Sequence, residues 1–320
     1  MLILNDTEIR SLEAGWTALT DCVEQAVRVA DAGDYAQPIK PYLRYGDPRN
    51  RIIAMPAYLG GDFDVAGIKW IASFPANLER GIPRAHGVIV LNRADTGQPY
   101  AMLNGGMANQ LRTAAVSGVV LRKFRAARPE ERFRVSIIGW GPVGRSHMDM
   151  CIGLFGNKIE HFTIYDIRGV DLSSVPDGWR ERTTAASRWE EAYEGCRVCI
   201  TCTVSASRYI DRIPPAGNLL LHVSLRDYRA SALQELKAIV VDDWDEVCRE
   251  NTDIELLHRE TGLTRQQTLS LADLVCRQAL DGIPPAETVL FSPMGMAVFD
   301  LAVASLLVKQ ARLQGVGTEL

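Results

Sequence analysis

A glycine-rich turn in the middle of the chain constrains its fold more than any other feature. Gly139, Gly141 and Gly144 form a G-x-G-x-x-G pattern directly after a strand-like run that ends at Ile138. A turn of this kind joins a strand to a helix, and the helix N-terminus can hold the pyrophosphate of a dinucleotide. Asp166 follows Gly144 by 22 residues, about where an acid meets the adenosine ribose. The pattern predicts an NAD-binding Rossmann domain; the alternative is the same turn in a fold without a nucleotide.

The side chains around this turn bear on the choice of cofactor. Asp166 favours NAD because a carboxylate repels the 2′-phosphate of NADP, and Arg168 weakens that preference. Arg145 is either a pyrophosphate contact or a solvated arginine at the start of a helix. The residues expected to contact NAD are Gly139, Gly141, Pro142, Val143, Gly144, Asp166, Arg168, Thr203, Ser205 and Ser224.

The late position of the turn predicts two domains of the α/β class. Strand-like runs between residues 42 and 103 follow one another without long crossovers, which favours an antiparallel or mixed sheet. Strands and helices alternate from residue 133 onward, which indicates a parallel sheet. We therefore expect an α+β substrate-binding and dimerisation domain of residues 1–115 and 300–320. The Rossmann domain is expected to comprise residues 116–299.

Composition excludes several functional classes. A net charge of −4 and a pI near 5.8 give no electrostatic footprint for nucleic acid. No apolar run reaches the roughly 18 residues that span a membrane, and the N-terminus does not resemble a signal peptide. Seven cysteines are most simply reduced thiols of a cytoplasmic protein. Cys196, Cys199 and Cys202 read as one strand on which Cys199 points away from the other two, so no metal site is expected.

Three cations in the first half are candidates for a substrate site. Lys69 interrupts an apolar strand-like run, where it is either buried and functional or on an exposed strand face. A desolvated lysine has a lowered pKa suited to proton transfer. Arg112 lies among small helical residues and could clamp a carboxylate with two bonds, and Arg44 is a third cation of this type. Either arginine alone would more often be a surface residue.

Together these residues resemble the ornithine cyclodeaminase/μ-crystallin family over the whole chain. The resemblance is carried by Arg44, Lys69, Leu111–Ala115, Gly139–Gly144 and Asp227. The segments Gly67–Pro75, Gly81–Ala85 and Ser292–Asp300 are most similar to one branch of the family. That branch oxidises the secondary amine of N-(2-amino-2-carboxyethyl)-L-glutamate with NAD. Its products, 2,3-diaminopropionate and 2-oxoglutarate, serve siderophore or peptide antibiotic biosynthesis.

The resemblance also implies roles for individual residues. Arg44 and Arg112 would hold the substrate α-carboxylate. Lys69 would bind the substrate and either take a proton from its amine or polarise its carboxylate. Asp227 would activate water. It further implies a homodimer with the active site in a cleft between the two domains. Open alternatives are an ornithine cyclodeaminase, a ketimine reductase, an alanine-type dehydrogenase, or a crystallin-like protein that binds NAD(P)H and a ligand without catalysis.

Overall fold

A computed structural model describes all 320 residues of the chain. The helices are α1 (Asp6–Ser11), α2 (Trp16–Asp31), α3 (Gly105–Ala127), α4 (Pro142–Phe155), α5 (Trp189–Glu194), α6 (Ala230–Leu233), α7 (Trp244–Val247), α8 (Asp253–Thr261), α9 (Leu271–Cys276) and α10 (Ala297–Gln314). The first strands are β1 (Leu2–Leu4), β2 (Tyr35–Ala36), β3 (Tyr42–Leu43), β4 (Arg51–Leu59), β5 (Val65–Ser73), β6 (Ala85–Arg93) and β7 (Pro99–Asn104). The later strands are β8 (Phe133–Ile138), β9 (Ile159–Tyr165), β10 (Thr183–Ala185), β11 (Val198–Thr201), β12 (Leu219–His222), β13 (Ala238–Val241), β14 (Leu269–Ser270), β15 (Val289–Ser292) and β16 (Thr318–Glu319).

The chain divides into two compact units, one of which is built from both chain ends. Unit 1 consists of Met1–Val116 and Met296–Leu320, and unit 2 consists of Ser117–Gly295. Helix α3 begins in unit 1 and ends in unit 2.

Unit 1 contains a mixed sheet with the strand order β16-β1-β7-β6-β5-β4-β2, and β3 also pairs with β4. The pair β1–β7 is parallel and the other pairs are antiparallel. Along β5, Val65, Lys69 and Ser73 are buried while Trp70 is exposed, because successive side chains point to opposite faces. Helix α10 packs on strands β4, β5 and β6 and on α2. The buried face of β5, with Lys69 on it, is therefore the face that α10 covers.

Unit 2 contains eight parallel strands in the order β10-β9-β8-β11-β12-β15-β13-β14. Every residue of β11, β12, β13 and β15 is buried, as expected for strands covered on both faces. Together the two sheets confirm the predicted fold class. Strand β8 lies between β9 and β11, so the strand order reverses beside it. In open parallel sheets ligands bind at the carboxyl ends of strands at such a reversal.

The cysteine-rich segment departs from the sequence expectation. Strand β11 comprises Val198–Thr201 only, so Cys196 precedes the strand and Cys202 follows it. Side-chain alternation therefore does not separate Cys196 from Cys199, and the Cys196 thiol donates to the carbonyl of Tyr193 at 3.4 Å. All seven cysteines are free, and no group of three or more His, Cys, Asp or Glu side chains is arranged to hold a metal ion. None of the helices combines the length and the apolar character that crossing a membrane requires.

Candidate active site

The glycines of the turn after β8 differ in what the fold demands of them. Gly139 has a φ of +103°, and a Cβ there would lie 2.6 Å from the carbonyl oxygen of Cys202. A Cβ at Gly144 would lie 2.1 Å from the carbonyl oxygen of Gly139. A Cβ at Gly141 would meet no atom within 4 Å. The fold itself thus requires Gly139 and Gly144, whereas Gly141 borders open space through which a phosphate could approach the backbone.

Helix α4 begins at this turn with an uncapped N-terminus. Gly141 is its N-cap, no side chain caps the helix, and Pro142 occupies the first turn. The backbone N–H groups of Val143 and Gly144 lie in that turn, where N–H groups have no partner within the helix. Arg145 places its guanidinium 5.8 Å from the centre of the Trp140 ring. The terminus offers donors and a positive dipole end to an anion, which fits the pyrophosphate of a dinucleotide.

Asp166 follows β9 and lies against the glycine turn. Its Oδ2 accepts a hydrogen bond of 2.8 Å from the backbone N–H of Trp140. Its Oδ1 accepts one of 3.0 Å from the backbone N–H of Arg168, whose side chain is exposed. The structure thus brings Asp166 next to the glycine turn, as the spacing of the two in the sequence predicted.

Three residues predicted for different roles form one cluster in unit 2. The Thr203 hydroxyl donates to Asp227 Oδ1, and the Ser224 hydroxyl donates to Asp227 Oδ2. The backbone carbonyl of Asp227 accepts the N–H groups of Tyr209 and Ile210 at 2.9 and 2.8 Å. Asp227 is fully buried, so two hydroxyls and two amides fix its position. Ser205, the remaining predicted cofactor contact, donates its hydroxyl to the carbonyl of Ser207 at 2.6 Å.

A buried histidine and acid behind Asp227 were missed by sequence reasoning. His222 Nε2 is 2.8 Å from Asp253 Oδ2, and its Nδ1 is 2.8 Å from Thr201 Oγ1. The same Nδ1 lies 3.9 Å from Asp227 Oδ2. Asp253 Oδ1 in turn accepts a bond of 2.6 Å from Arg208 Nε. The only signal in the sequence was a histidine at the end of the apolar run that forms β12, because its partner lies 31 residues away.

Lys69 and Arg112 lie together in unit 1, joined by two oxygen acceptors. Lys69 Nζ donates to Asp300 Oδ1 at 2.9 Å and to Asn109 Oδ1 at 2.6 Å. Arg112 donates to the same atoms, from Nε to Asp300 Oδ1 at 2.8 Å and from Nη2 to Asn109 Oδ1 at 3.0 Å. We call Lys69, Asp300, Arg112 and Asn109 the four-residue ring. Neither Asp300 nor Asn109 was predicted from the sequence to have an individual role, because nothing local pairs them with Lys69.

Burial decides the electrostatics of the four-residue ring. Lys69 is 1% exposed, and desolvation, helped by Arg112 and opposed by Asp300, lowers its pKa from 10.5 to about 7. Burial would raise the pKa of Asp300, but Arg112 and Lys69 outweigh it and hold that pKa below its usual value. Asp300 Oδ2 is also buried and has no hydrogen-bond partner. Of the two alternatives for Lys69, the structure thus selects the buried lysine.

The other cations of unit 1 differ in accessibility. Arg44 is exposed, lies 5.3 Å from the centre of the Tyr42 ring, and donates from Nη1 to the carbonyl of Pro48 at 3.3 Å. Lys40 is buried, and its charge contributes to the lowered pKa of Lys69. Lys40 was not among the predicted site residues. It lies in a segment without regular structure, where periodicity gives no information about burial.

His147 illustrates a buried group with a structural role. Its Nδ1 is 2.8 Å from the Val143 carbonyl, and its Nε2 is 2.9 Å from the Ser117 hydroxyl. Burial lowers the pKa of His147 to about 4, so the buried ring is neutral.

Comparisons with known proteins agree with this geometry. The family model "Ornithine cyclodeaminase/mu-crystallin family" matches residues 2–314. A curated relative, the N-((2S)-2-amino-2-carboxyethyl)-L-glutamate dehydrogenase of Staphylococcus aureus, is 32% identical over 100% of this chain and 98% of its own. It bears the activity of the branch that the sequence resembles.

Solved structures show the same fold. The Δ1-pyrroline-2-carboxylate reductase of Thermococcus litoralis, in complex with NADH and L-proline, superposes with a TM-score of 0.84 at 23% identity over 100% of both chains. An archaeal alanine dehydrogenase dimer with bound NAD gives a TM-score of 0.81 at 23% identity over 100% of this chain and 98% of the other. The chain belongs to the ornithine cyclodeaminase/mu-crystallin family.

Proposed function

We propose that the protein is an NAD-dependent oxidoreductase that acts on the CH–NH bond of an amino acid. The substrate proposed is N-(2-amino-2-carboxyethyl)-L-glutamate. The observation that carries the proposal is the four-residue ring, a buried Lys69 and Arg112 side by side in unit 1. The full-length relationship to the Staphylococcus aureus dehydrogenase supports the choice of substrate.

The glycine turn of unit 2 would hold the cofactor. The uncapped N-terminus of α4 would bind the pyrophosphate, and Asp166 would accept the ribose hydroxyls. NAD, when bound, supplies the hydride acceptor. Its choice is supported by the carboxylate of Asp166 and by the solved relatives that carry NAD or NADH.

The cations of unit 1 would bind and deprotonate the substrate. Arg112 uses Nε and Nη2 within the four-residue ring, which leaves Nη1 for a carboxylate oxygen. Arg44, which is exposed, would contribute a second contact to the same carboxylate. Lys69, with its lowered pKa, would take the proton of the substrate's secondary amine.

Hydrolysis would be the task of Asp227. Loss of a hydride from the α-carbon and of a proton from nitrogen leaves a C=N bond. Water activated by Asp227 adds to that carbon, and cleavage of the C–N bond gives 2,3-diaminopropionate and 2-oxoglutarate. The hydroxyls of Thr203 and Ser224 would orient the carboxylate for this step. We assign the product to siderophore or peptide natural-product biosynthesis in the cytoplasm.

A product analysis tests the proposal. Purified protein with NAD and N-(2-amino-2-carboxyethyl)-L-glutamate should accumulate NADH, with 2,3-diaminopropionate and 2-oxoglutarate in equal amounts by mass spectrometry. Ornithine and alanine serve as comparison substrates. Proline from ornithine without net NADH would identify a cyclodeaminase, and NADH with pyruvate from alanine would identify an alanine dehydrogenase. No turnover with any of them, despite NAD binding, would contradict the proposal.

The rate should depend on pH through Lys69. Its pKa is lowered to about 7, so below that pH it is protonated and cannot accept a proton. We expect kcat/KM to fall about tenfold per unit as the pH drops below this pKa and to level off above it. Steady-state rates between about pH 5.5 and about pH 9 check this limb, since kcat/KM reports groups of the free enzyme. A profile that is flat across neutral pH would remove Lys69 from the role of base.

We also propose a homodimer, supported by the uncovered face of the unit 1 sheet. On that face Trp70 of β5 pairs with Val88 of β6, and both are exposed although large and apolar. Residues of β4 continue the apolar face, with Ala54 opposite Trp70. An apolar sheet face left open on one chain commonly marks a protein interface.

Substitution of Trp70 tests the dimer. Trp70→Glu should convert a particle of twice 35.3 kDa to one of 35.3 kDa in light scattering after size exclusion. A buried interface tryptophan contributes at least about 2 kcal/mol, so the dissociation constant should rise at least about 30-fold. Leu313→Glu, a charge placed at an equally apolar but exposed position on α10, is the matched control. A Trp70→Glu protein with unchanged mass would exclude this face as the interface.

A further inference from the structure

The four-residue ring contains a feature that the proposed reaction does not use: each acceptor oxygen binds both cations. Asp300 Oδ1 receives Lys69 Nζ and Arg112 Nε, and Asn109 Oδ1 receives Lys69 Nζ and Arg112 Nη2. The members come from three elements, with Lys69 on β5, Asn109 and Arg112 on α3, and Asp300 on α10. A closed ring of this kind fixes the position of each nitrogen relative to the strand and both helices.

A count of donors shows what the ring does to Lys69. An ammonium group has three N–H donors, whereas a neutral amine has two donors and one lone pair. A guanidinium only donates, so the Asn109 atom that Arg112 contacts must be the amide oxygen. Both ring partners of Lys69 are therefore acceptors, and neutral Lys69 must give one N–H to each. Its lone pair is left in the remaining tetrahedral direction.

We propose that Asp300 and Asn109 are positioning residues, which together aim the lone pair of neutral Lys69 along a direction set by β5, α3 and α10. Without either oxygen the amine could rotate about the Cε–Nζ bond and point an N–H where the proton acceptor is needed. The inference rests on the proposed function only for the identity of the proton that Lys69 takes.

The two acceptors differ in charge, so their effect on the orientation of the Lys69 amine can be separated from their effect on its pKa. The charged groups that act on Lys69 are Arg112 from α3, Asp300 from α10 and Lys40 from the segment before β3. Burial, Arg112 and Lys40 favour the neutral amine, and Asp300 alone opposes them. Asn109 provides the second acceptor without a charge. Moving the negative charge from one acceptor to the other should therefore keep the geometry and leave the balance of charges nearly unchanged.

Three variants exploit this difference. Asp300→Asn keeps an acceptor oxygen but removes the charge, so the pKa of Lys69 should fall by about one to two units. Asn109→Asp keeps the acceptor and adds a charge, so that pKa should rise by a similar amount. The double variant Asn109→Asp/Asp300→Asn should return it to within about half a unit of the starting value. A fourth variant, Asn109→Leu, removes one acceptor without changing the charge, and its kcat should fall at least about tenfold through the loss of orientation.

Two independent measurements give the pKa of Lys69 in these variants. Carbon-13 NMR of the lysine Cε atoms in the free protein gives the pKa of Lys69 without substrate, and the chain has only six lysines to assign. The acid limb of kcat/KM gives the pKa of Lys69 in the free enzyme a second time, from rates. Opposite shifts in the two single variants, restored in the double variant, with a low kcat in Asn109→Leu, are the expected result.

The outcomes distinguish failure of this inference from failure of the proposed function. Shifts of equal sign or no shifts in the NMR titration, or a wild-type kcat in Asn109→Leu, would overturn the positioning role even if the reaction is the one proposed. The expected NMR shifts in a protein that turns over neither the proposed substrate nor the comparison amino acids would leave the charge coupling of the ring intact. In that case the proposed function would be rejected. The proposal that the lone pair of Lys69 takes the proton of the substrate's amine would be rejected with it.

Discussion

Lys69→Met should lower kcat/KM about a thousandfold while the protein stays folded. Methionine fills a similar buried volume but offers neither a lone pair nor an N–H, and general-base catalysis contributes roughly 10²- to 10⁴-fold. Above about pH 7 Lys69 is largely neutral, so the substitution does not alter the charge next to Asp300. Arg112 Nε still donates to Asp300 Oδ1 at 2.8 Å, and the acid therefore keeps a charged partner. Steady-state rates, with the melting temperature of each sample, measure the effect.

The matched control for this substitution is Lys309→Met. Lys309 lies on the exposed side of α10, so removal of its charge should leave both the rate and the melting temperature unchanged. NAD binding should be the same in the wild type and both variants, because the glycine turn belongs to unit 2. A Lys69→Met enzyme that turns over within about threefold of the wild type would show that the proton leaves by another route.

Gly144→Ala should lower the stability of the protein, whereas Gly141→Ala should leave the stability unchanged. At Gly144 the new Cβ would lie 2.1 Å from the backbone carbonyl oxygen of Gly139, so helix α4 must move away from β8. We expect a loss of about 3 kcal/mol and a melting temperature lower by roughly 6–12 °C. At Gly141 the Cβ meets no atom within 4 Å, and the φ of −80° suits any residue. Gly141→Ala should therefore melt like the wild type.

The consequence of Gly141→Ala should appear in cofactor binding instead. The methyl group occupies the space through which the pyrophosphate would approach the backbone, so the dissociation constant for NAD should rise at least about tenfold, or 1.4 kcal/mol. Calorimetric titration with NAD and thermal unfolding measure the two properties separately. If Gly141→Ala binds NAD as tightly as the wild type, the cofactor does not pass over this residue.

The larger elements could be predicted from periodicity, and the exceptions have physical reasons. The parallel sheet followed from buried runs that alternate with helices, and the glycine turn identified β8 and α4. A proline lacks an N–H and usually interrupts a strand, yet β4 contains one at Pro56. The strand continues through Pro56 to Leu59. On the edge away from β5, β3 pairs with Ile52 and Ile53 and β2 pairs with Tyr58 and Leu59. Pro56 falls in the gap between these pairings, so no ladder bond is lost there.

The candidate site was predictable only in part, because its contacts join distant positions. The residue type and apolar setting of Lys69 indicated an unusual lysine, but they left burial and exposure equally open. The decisive contact is with Asp300, 231 residues further along the chain. Asn109 likewise lies 40 residues from Lys69. Periodicity assigns a side chain to a face of its own strand or helix, and it cannot say which side chain of another element meets it there.

The origin of unit 1 from both chain ends has a consequence for biosynthesis. Domains commonly fold as they emerge from the ribosome, beginning at the N-terminus. Unit 1 cannot do so, because α10, which covers β4, β5 and β6, is translated after the whole of unit 2. A nascent chain that stops before Ala297 would carry the glycine turn and the parallel sheet but leave the inner face of the mixed sheet bare. Proteases and chaperones would meet such a chain with unit 1 still unfolded, so unit 1 can fold only after α10 has left the ribosome.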